Sequence, residues 1–191
     1  ESDYDTYISM GSLPLYYRKN IESFKDTCGG WLSADKIKTK AFRSSLLSKG
    51  IEKVIGISWH SLSKKDGANK KSIPLSKLAK HLSSPSVRLI NLQYGNVQHE
   101  IKQLSEDFGI EVTQIPNVDN TNDLDSLAAI IEACDEIVSI DNATINLAGA
   151  LGKRARVLLP YSCDWRWGKE KNDNYWYRSV KILRQDAINN W

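Results

Sequence analysis

No apolar run long enough to cross a membrane occurs in this 191-residue chain, since a spanning helix needs roughly 18 or more such residues in sequence. Cysteine is scarce: Cys28, Cys134 and Cys163 lie far apart and form no CxxC pair. With only three histidines (His60, His81 and His99) they offer no zinc-binding spacing, so no metal site is expected. An odd, scattered set of thiols suits a reducing compartment, with Cys134 as a small core residue on a helix. The opening residues Glu1 to Thr6 are acidic and polar, unlike a secretory signal, and a cytoplasmic location is the expectation. Charge of one sign is also lacking. A formal net charge of +3 argues against a dedicated nucleic-acid binder, while leaving room for a local basic site that holds phosphate. No Ser/His/Asp or Cys/His arrangement stands out, and no internal repeat or low-complexity tract is visible.

What is present is an ordinary globular composition, 41% hydrophobic and 26% charged, able to bury one core. From Lys53 onward, short apolar β-branched runs alternate with helical spacings. Strands are expected at Lys53 to Trp59, Val87 to Gln93, Glu111 to Ile115, Glu136 to Ile140 and Ala155 to Leu159. Between them Pro74 opens a helix carrying Leu75, Leu78, Ala79 and Leu82, and Val97 to Phe108 forms a second, stopped by Gly109. Asp123 caps a third over Leu124 to Cys134, and Thr144 to Leu151 forms a short fourth, in which Ala148, Gly149 and Ala150 permit close packing on the sheet. The order β-α-β-α implies a Rossmann-like, doubly wound parallel sheet in an α/β fold. Ligands of such sheets bind beyond the carboxyl ends of the strands, where strand order reverses. Residues 1–50 read differently, as a connector with one helix, capped by Ser33 and running to about Lys49 before Gly50, that packs on the nucleotide-binding domain of residues 51–191.

Two loops at the expected ligand edge carry chemistry. His60 to Ser72 gathers four lysines and three serines. Lysine supplies mobile positive charge and serine directed hydrogen bonds, as a phosphate requires, although a lysine-rich loop is more often a solvated surface. Ser139 to Gly152 turns from a strand into an alanine-rich helix. Its first free N–H groups suit a pyrophosphate, with Thr144 adding a hydroxyl, while Asp141 or Asn142 caps the helix. Gln93 and Tyr94 end a strand on the same edge, where a base or ribose would lie. Asp123-Leu124-Asp125 has the outline of a metal-binding DxD and is read as a helix cap instead. A lone His60 is weak evidence for acid–base work, and His81 and His99 are expected on helix surfaces. The aromatic stretch Tyr161 to Trp176 reads as packing at the sheet edge rather than as a sugar-stacking platform.

Several blocks together resemble a known family: Gly56-Ile57-Ser58-Trp59, Lys71-Ser72-Ile73-Pro74-Leu75, Asn91-Leu92-Gln93-Tyr94-Gly95, and Asp141-Asn142-Ala143-Thr144-Ile145-Asn146-Leu147-Ala148-Gly149. Val157-Leu158-Leu159-Pro160, Asp164-Trp165-Arg166-Trp167, Trp176-Tyr177 and Arg184-Gln185 continue the pattern, and Gly11-Ser12-Leu13-Pro14 precedes it. The chain resembles the C-terminal domain of glycosyltransferases attached to tetratricopeptide repeats, which are related to heptosyltransferases and more distantly to O-linked N-acetylglucosamine transferases. The resemblance implies one half of a GT-B glycosyltransferase, the half that binds a nucleotide-sugar, working by inversion without a metal or other cofactor. It places Ser61 and Lys71 at the donor phosphates and Gln93 and Tyr94 near the nucleoside. Asp141, Asn142, Ala143, Thr144 and Asn146 then lie under the pyrophosphate. Asn146 stands where the family has histidine, an amide that hydrogen-bonds but carries no charge. The resemblance also implies that the acceptor domain, with the catalytic base, and any tetratricopeptide repeats lie outside these residues, so the fragment alone is not expected to turn over. A non-catalytic binding or scaffold module that keeps the fold is the alternative.

Overall fold

Alternate residues of the central strands are buried on opposite faces, and that alternation sets the architecture. A computed structural model describes residues 3–24, 29–61, 68–168, 174–188 and 191 of the chain. Among them are six parallel strands: β1 (Lys53–Ser58), β2 (Val87–Asn91), β3 (Val112–Thr113), β4 (Glu136–Ile140), β5 (Ala155–Leu159) and β6 (Val180–Arg184). Their order across the sheet is β3-β2-β1-β4-β5-β6, so the chain doubles back at the junction of β1 and β4. The helices are α1 (Pro14–Tyr17), α2 (Lys36–Leu46), α3 (Leu75–Leu82), α4 (Gln98–Phe108), α5 (Leu124–Ala133) and α6 (Ala143–Ala150).

Two cores result. On one face Leu46, Leu127, Ile130, Ile131, Ile145 and Ala148 of α2, α5 and α6 meet the Val54, Ile137 and Val157 side of the sheet. On the other, Leu75, Leu78, Ile101 and Leu104 of α3 and α4 meet Ile55, Ile57, Leu89 and Val138. This two-layer cover is the reason β1 and β4 read as nearly continuous apolar runs. Each large side chain so buried is worth about 1.5–3 kcal/mol relative to exposure.

The doubly wound parallel sheet agrees with the sequence, and several local details correct it. The cap of α2 is Asp35, whose Oδ1 accepts from the N–H groups of Ile37 and Lys38, not Ser33. That helix ends at Leu46, because Leu47 is already extended. β2 stops at Asn91, and β3 keeps two paired residues of the expected five. Gly109 ends α4 with φ of 63°, a left-handed turn that favours glycine, and Asp123 caps α5 by accepting from Ser126 N–H. β6 is a strand that the sequence does not announce: its Val-Lys-Ile-Leu-Arg pattern belongs to an edge strand after a turn-rich segment, not to a run buried on both faces. Cys134 follows α5 as its C-cap, and burial pushes its thiol up to about 12. Cys28 lies outside the described residues.

Part of the aromatic set packs ring on ring, while Tyr161 and Trp165 stay largely exposed. Trp167 is 1% exposed. The Trp31 and Tyr177 rings stack at 5.5 Å, and Trp167 lies 6.0 Å from Tyr177. Gly149 serves this cluster rather than the sheet: a Cβ there would stand 2.4 Å from the Tyr177 ring. The backbone of residues 31 and 32 is tied to α6, both N–H groups donating to Ala150 O. Trp191 returns to the α3 side, where its indole N–H donates to Ser72 O.

Candidate functional site

The carboxyl ends of β1 and β4 are joined by a polar network. Gln93, 1% exposed, turns back from the loop after β2. Its Oε1 accepts from Ser58 Oγ at 2.9 Å, Trp59 N at 2.9 Å and His60 N at 3.0 Å. Its Nε2 donates to the carbonyls of His60 and Tyr94. The amide expected beside a nucleoside thus makes its hydrogen bonds to the Ser58 hydroxyl and to backbone groups of residues 59, 60 and 94. Ser58 Oγ relays the network onward by accepting from Asn142 Nδ2 at 2.7 Å. Asn142, the cap of α6, accepts through Oδ1 from Ser139 Oγ, Thr144 N and Ile145 N. Of the two capping candidates, Asn142 performs the task.

Asp141 is turned toward the other loop. Its Oδ2 lies 2.6 Å from Lys71 Nζ, and its Oδ1 accepts from Trp167 Nε1 at 2.9 Å. The Asp141 side chain is 3% exposed and that of Lys71 33%, so the ammonium is anchored at its root and open to solvent at its edge. Ser61 is half-buried close by, its N–H donating to Ser72 Oγ. The loop lysines Lys64 and Lys65 lie outside the described residues.

The start of α6 is more closed than the sequence suggests. The N–H groups of Thr144 and Ile145 already donate to Asn142, and the buried Thr144 hydroxyl is directed at Leu92 O at 3.5 Å. Asn146 is engaged at both ends. Its Nδ2 donates to Asn142 O at 2.8 Å, and its Oδ1 accepts from Tyr177 Oη at 3.1 Å. Burial raises the pKa of that phenol, which keeps it a donor. Ala143 is exposed at the helix tip.

Beside this junction, Asn91, Tyr94, Gln114, Asp119 and Asn120 line a polar hollow of about 240 Å³ past the ends of β2 and β3. Hydrogen bonding by the Asn122 side chain, with backbone donation from Thr121, holds the Asp119 carboxyl below its usual range. Asn120 Nδ2 donates to Gln93 O at 3.2 Å, tying the hollow's rim to the network. His60 belongs to a separate cluster: its Nδ1 lies 3.3 Å from Glu100 Oε1, while Trp59 Nε1 donates to Glu100 Oε2 at 2.7 Å. His81 and His99 are exposed on α3 and α4 as expected. The pairings of Lys71 with Asp141, Trp167 with Asp141, and Tyr177 with Asn146 escaped the sequence reading. Their residues belong to the segments that carry the family resemblance, but nothing in spacing joins partners from different loops.

A Rossmann-like α/β domain with a polar junction at its switch point is the class that this fold and site define. The solved structures it resembles are glycosyltransferases. They include the family 9 glycosyl transferase of Veillonella parvula, with TM-score 0.58 and 14% identity over 83% of this chain and 43% of that one. Escherichia coli ADP-heptose LPS heptosyltransferase II gives TM-score 0.57 and 15% identity over 80% of this chain and 44% of its own. E. coli heptosyltransferase WaaC with ADP gives 0.54 and 16%, with the same coverages. The shared feature is the fold. Protein FlbA of Caulobacter vibrioides is 30% identical over 188 residues, which are 98% of this chain and 31% of FlbA. The chain thus spans about a third of that relative and less than half of each solved neighbour. No family model matches it.

Proposed function

We propose that this domain binds the donor of a glycosyltransferase, a nucleotide-sugar, across the junction of β1 and β4. The observation that carries the reading is the Lys71–Asp141 pair, which sets a partly solvated ammonium at the switch point of the sheet. Lys71 and Ser61 would meet the diphosphate, and the exposed tip of α6 at Ala143 would lie beneath it. The hollow bounded by Tyr94 and Asn120 would take the nucleoside. In transfer by inversion, the acceptor oxygen forms its bond to the anomeric carbon as the bond to the diphosphate breaks. Lys71 compensates the charge gathering on that leaving group, so no divalent cation is required for it. The acceptor's proton passes to a base on the acceptor half, which this reading places elsewhere on a longer, tetratricopeptide-repeat-associated chain in the cytoplasm. Likeness to a heptosyltransferase solved with ADP makes ADP the first nucleotide to try.

Calorimetric titration with ADP, UDP, GDP and CDP, with and without magnesium, tests the reading. One nucleotide should bind without metal, and Lys71→Ala should weaken it by about tenfold or more, the weight of a charge-assisted contact. Binding that Lys71→Ala leaves unchanged would remove Lys71 from the role.

A second reading, a binding or scaffold module that keeps the fold without turnover, is favoured by the closed start of α6. There Asn142 occupies two helix-start donors and Asn146 is tied to Tyr177. Nucleotide binding by the full-length protein without sugar transfer would support it.

A further inference from the structure

At the opposite end of the sheet from this junction, the amino-terminal ends of β1, β4, β5 and β6 enclose a hollow of about 470 Å³. Five cations line it: Lys53, Arg154, Arg156, Arg178 and Lys181. The one acid among its lining residues is Glu136. That carboxylate is buried and shared three ways, 2.6 Å from Lys53 Nζ, 2.8 Å from Arg156 Nε and 3.9 Å from Arg154 Nε. The adjacent Asp135 is committed to Arg43 in a two-bond pair. Among the described residues no acid lies within ion-pair distance of Arg178 or Lys181.

One further observation separates this hollow from a merely solvated face. Arg156 and Lys181 are direct partners in the register of β5 and β6, a like-charge pairing across strands that is unfavourable by itself. A bound anion would relieve the charge crowding, and arginine forks suit phosphoryl oxygens in particular. The cations line a concavity rather than a flat plate, which fits a compact ligand better than a membrane surface.

We propose that this basin is a second anion site, distinct from the donor junction, for a small ligand bearing two or more phosphoryl groups. The inference does not depend on the donor reading, because the two sites share no residue. The test is calorimetric titration of the protein with sodium tripolyphosphate at low salt. The comparison uses wild type, the double variant Arg178→Gln/Lys181→Gln, which leaves the Glu136 ion pairs in place, and Lys71→Ala. Binding should persist in Lys71→Ala and weaken by about tenfold or more in the double variant, as expected when charge-assisted contacts are lost. Absence of tripolyphosphate binding to the wild type, or equal binding by wild type and the double variant, would overturn the proposal. Loss of all binding in Lys71→Ala would overturn it too, by assigning the anion to the donor junction. Sedimentation with phosphoinositide vesicles separates the sources: capture of vesicles without binding of free tripolyphosphate would count against a small ligand.

Discussion

Lys71 Nζ and Asp141 Oδ2 stand 2.6 Å apart although 70 residues separate them in the chain. One lies in the loop after β1 and the other directly follows β4, and those strands are neighbours because the sheet doubles back between them. The pair therefore exists only when the switch point is correctly assembled. Trp167 completes it from the segment after β5, donating its indole N–H to the other carboxylate oxygen.

Substitutions at Asp141 should separate these two bonds. Asp141→Asn keeps an oxygen for Trp167 but gives Lys71 no counter-charge, and because Lys71 is one-third exposed its ammonium can rehydrate. A loss of about 1–2 kcal/mol is expected. Asp141→Ala also strands the buried indole N–H, adding about 1–3 kcal/mol. Urea unfolding of the two variants measures the difference, and equal losses would show that the Trp167 bond contributes nothing.

Gln93 should prove structural whether or not nucleotide is bound. Gln93→Leu removes the acceptor for Ser58 Oγ and for the N–H groups of Trp59 and His60. Leaving buried donors without partners should cost about 3 kcal/mol or more. Gln93→Glu, which keeps the acceptor and loses the two Nε2 donations, should fall between it and wild type. Denaturant midpoints of the nucleotide-free protein provide the check. A Gln93→Leu variant as stable as wild type would mean that the network adds little to the fold.

Sequence disclosed β1 to β5, most sharply β1, β4 and β5, where a continuous apolar run buried from both sides has few other readings; β2 and β3 were placed correctly but drawn too long. The α4 and α5 boundaries were legible because Gly109 and Asp123 act locally, within a turn of their own helices. β6 was not legible, since half of its residues face outward and it follows a segment dense in tryptophan and charge. The site divides in the same way. Lys71, Asp141 and Asn142 each carried a local signal, but the Lys71–Asp141 contact is created by strand order, and strand order is not written in either loop. Thr144 and Asn146 looked available as sequence because nothing local reveals that Leu92 O and Tyr177 Oη would occupy them.

Gly149 and Tyr177 should be coupled. With 2.4 Å between an added Cβ and the Tyr177 ring, Gly149→Ala must displace that ring, and overpacking of this kind costs about 1–3 kcal/mol. In a Tyr177→Ala background the obstacle is gone, so the same substitution should be nearly neutral or slightly stabilising, alanine being the better helix former. A double-mutant cycle by urea unfolding gives the coupling energy directly. Additive effects would show that the ring is not what excludes a methyl group at this position.

Acid should weaken the protein through Asp135 and Glu136, whose charged forms the fold stabilises. Burial opposes ionisation of both, but Arg43 with the Val54 N–H outweighs it at Asp135, and Lys53, Arg156 and Arg154 outweigh it at Glu136. Both folded pKa values therefore lie below their ordinary ones of 3.8 and 4.5. For groups depressed on folding, the unfolded chain binds protons first as pH falls, so their stabilisation is complete above the unfolded pKa and declines on the acid side of it. Thermal midpoints should be insensitive to these two groups between about pH 7 and 5.5, then drop steadily below about pH 4.5 as protonation of the unfolded state gains. Arg43→Gln, which takes the counter-charge from Asp135, should lower stability at neutral pH and flatten that acid decline. If Arg43→Gln shifts the whole profile downward without changing its slope, the ion pair is not the source of the acid sensitivity.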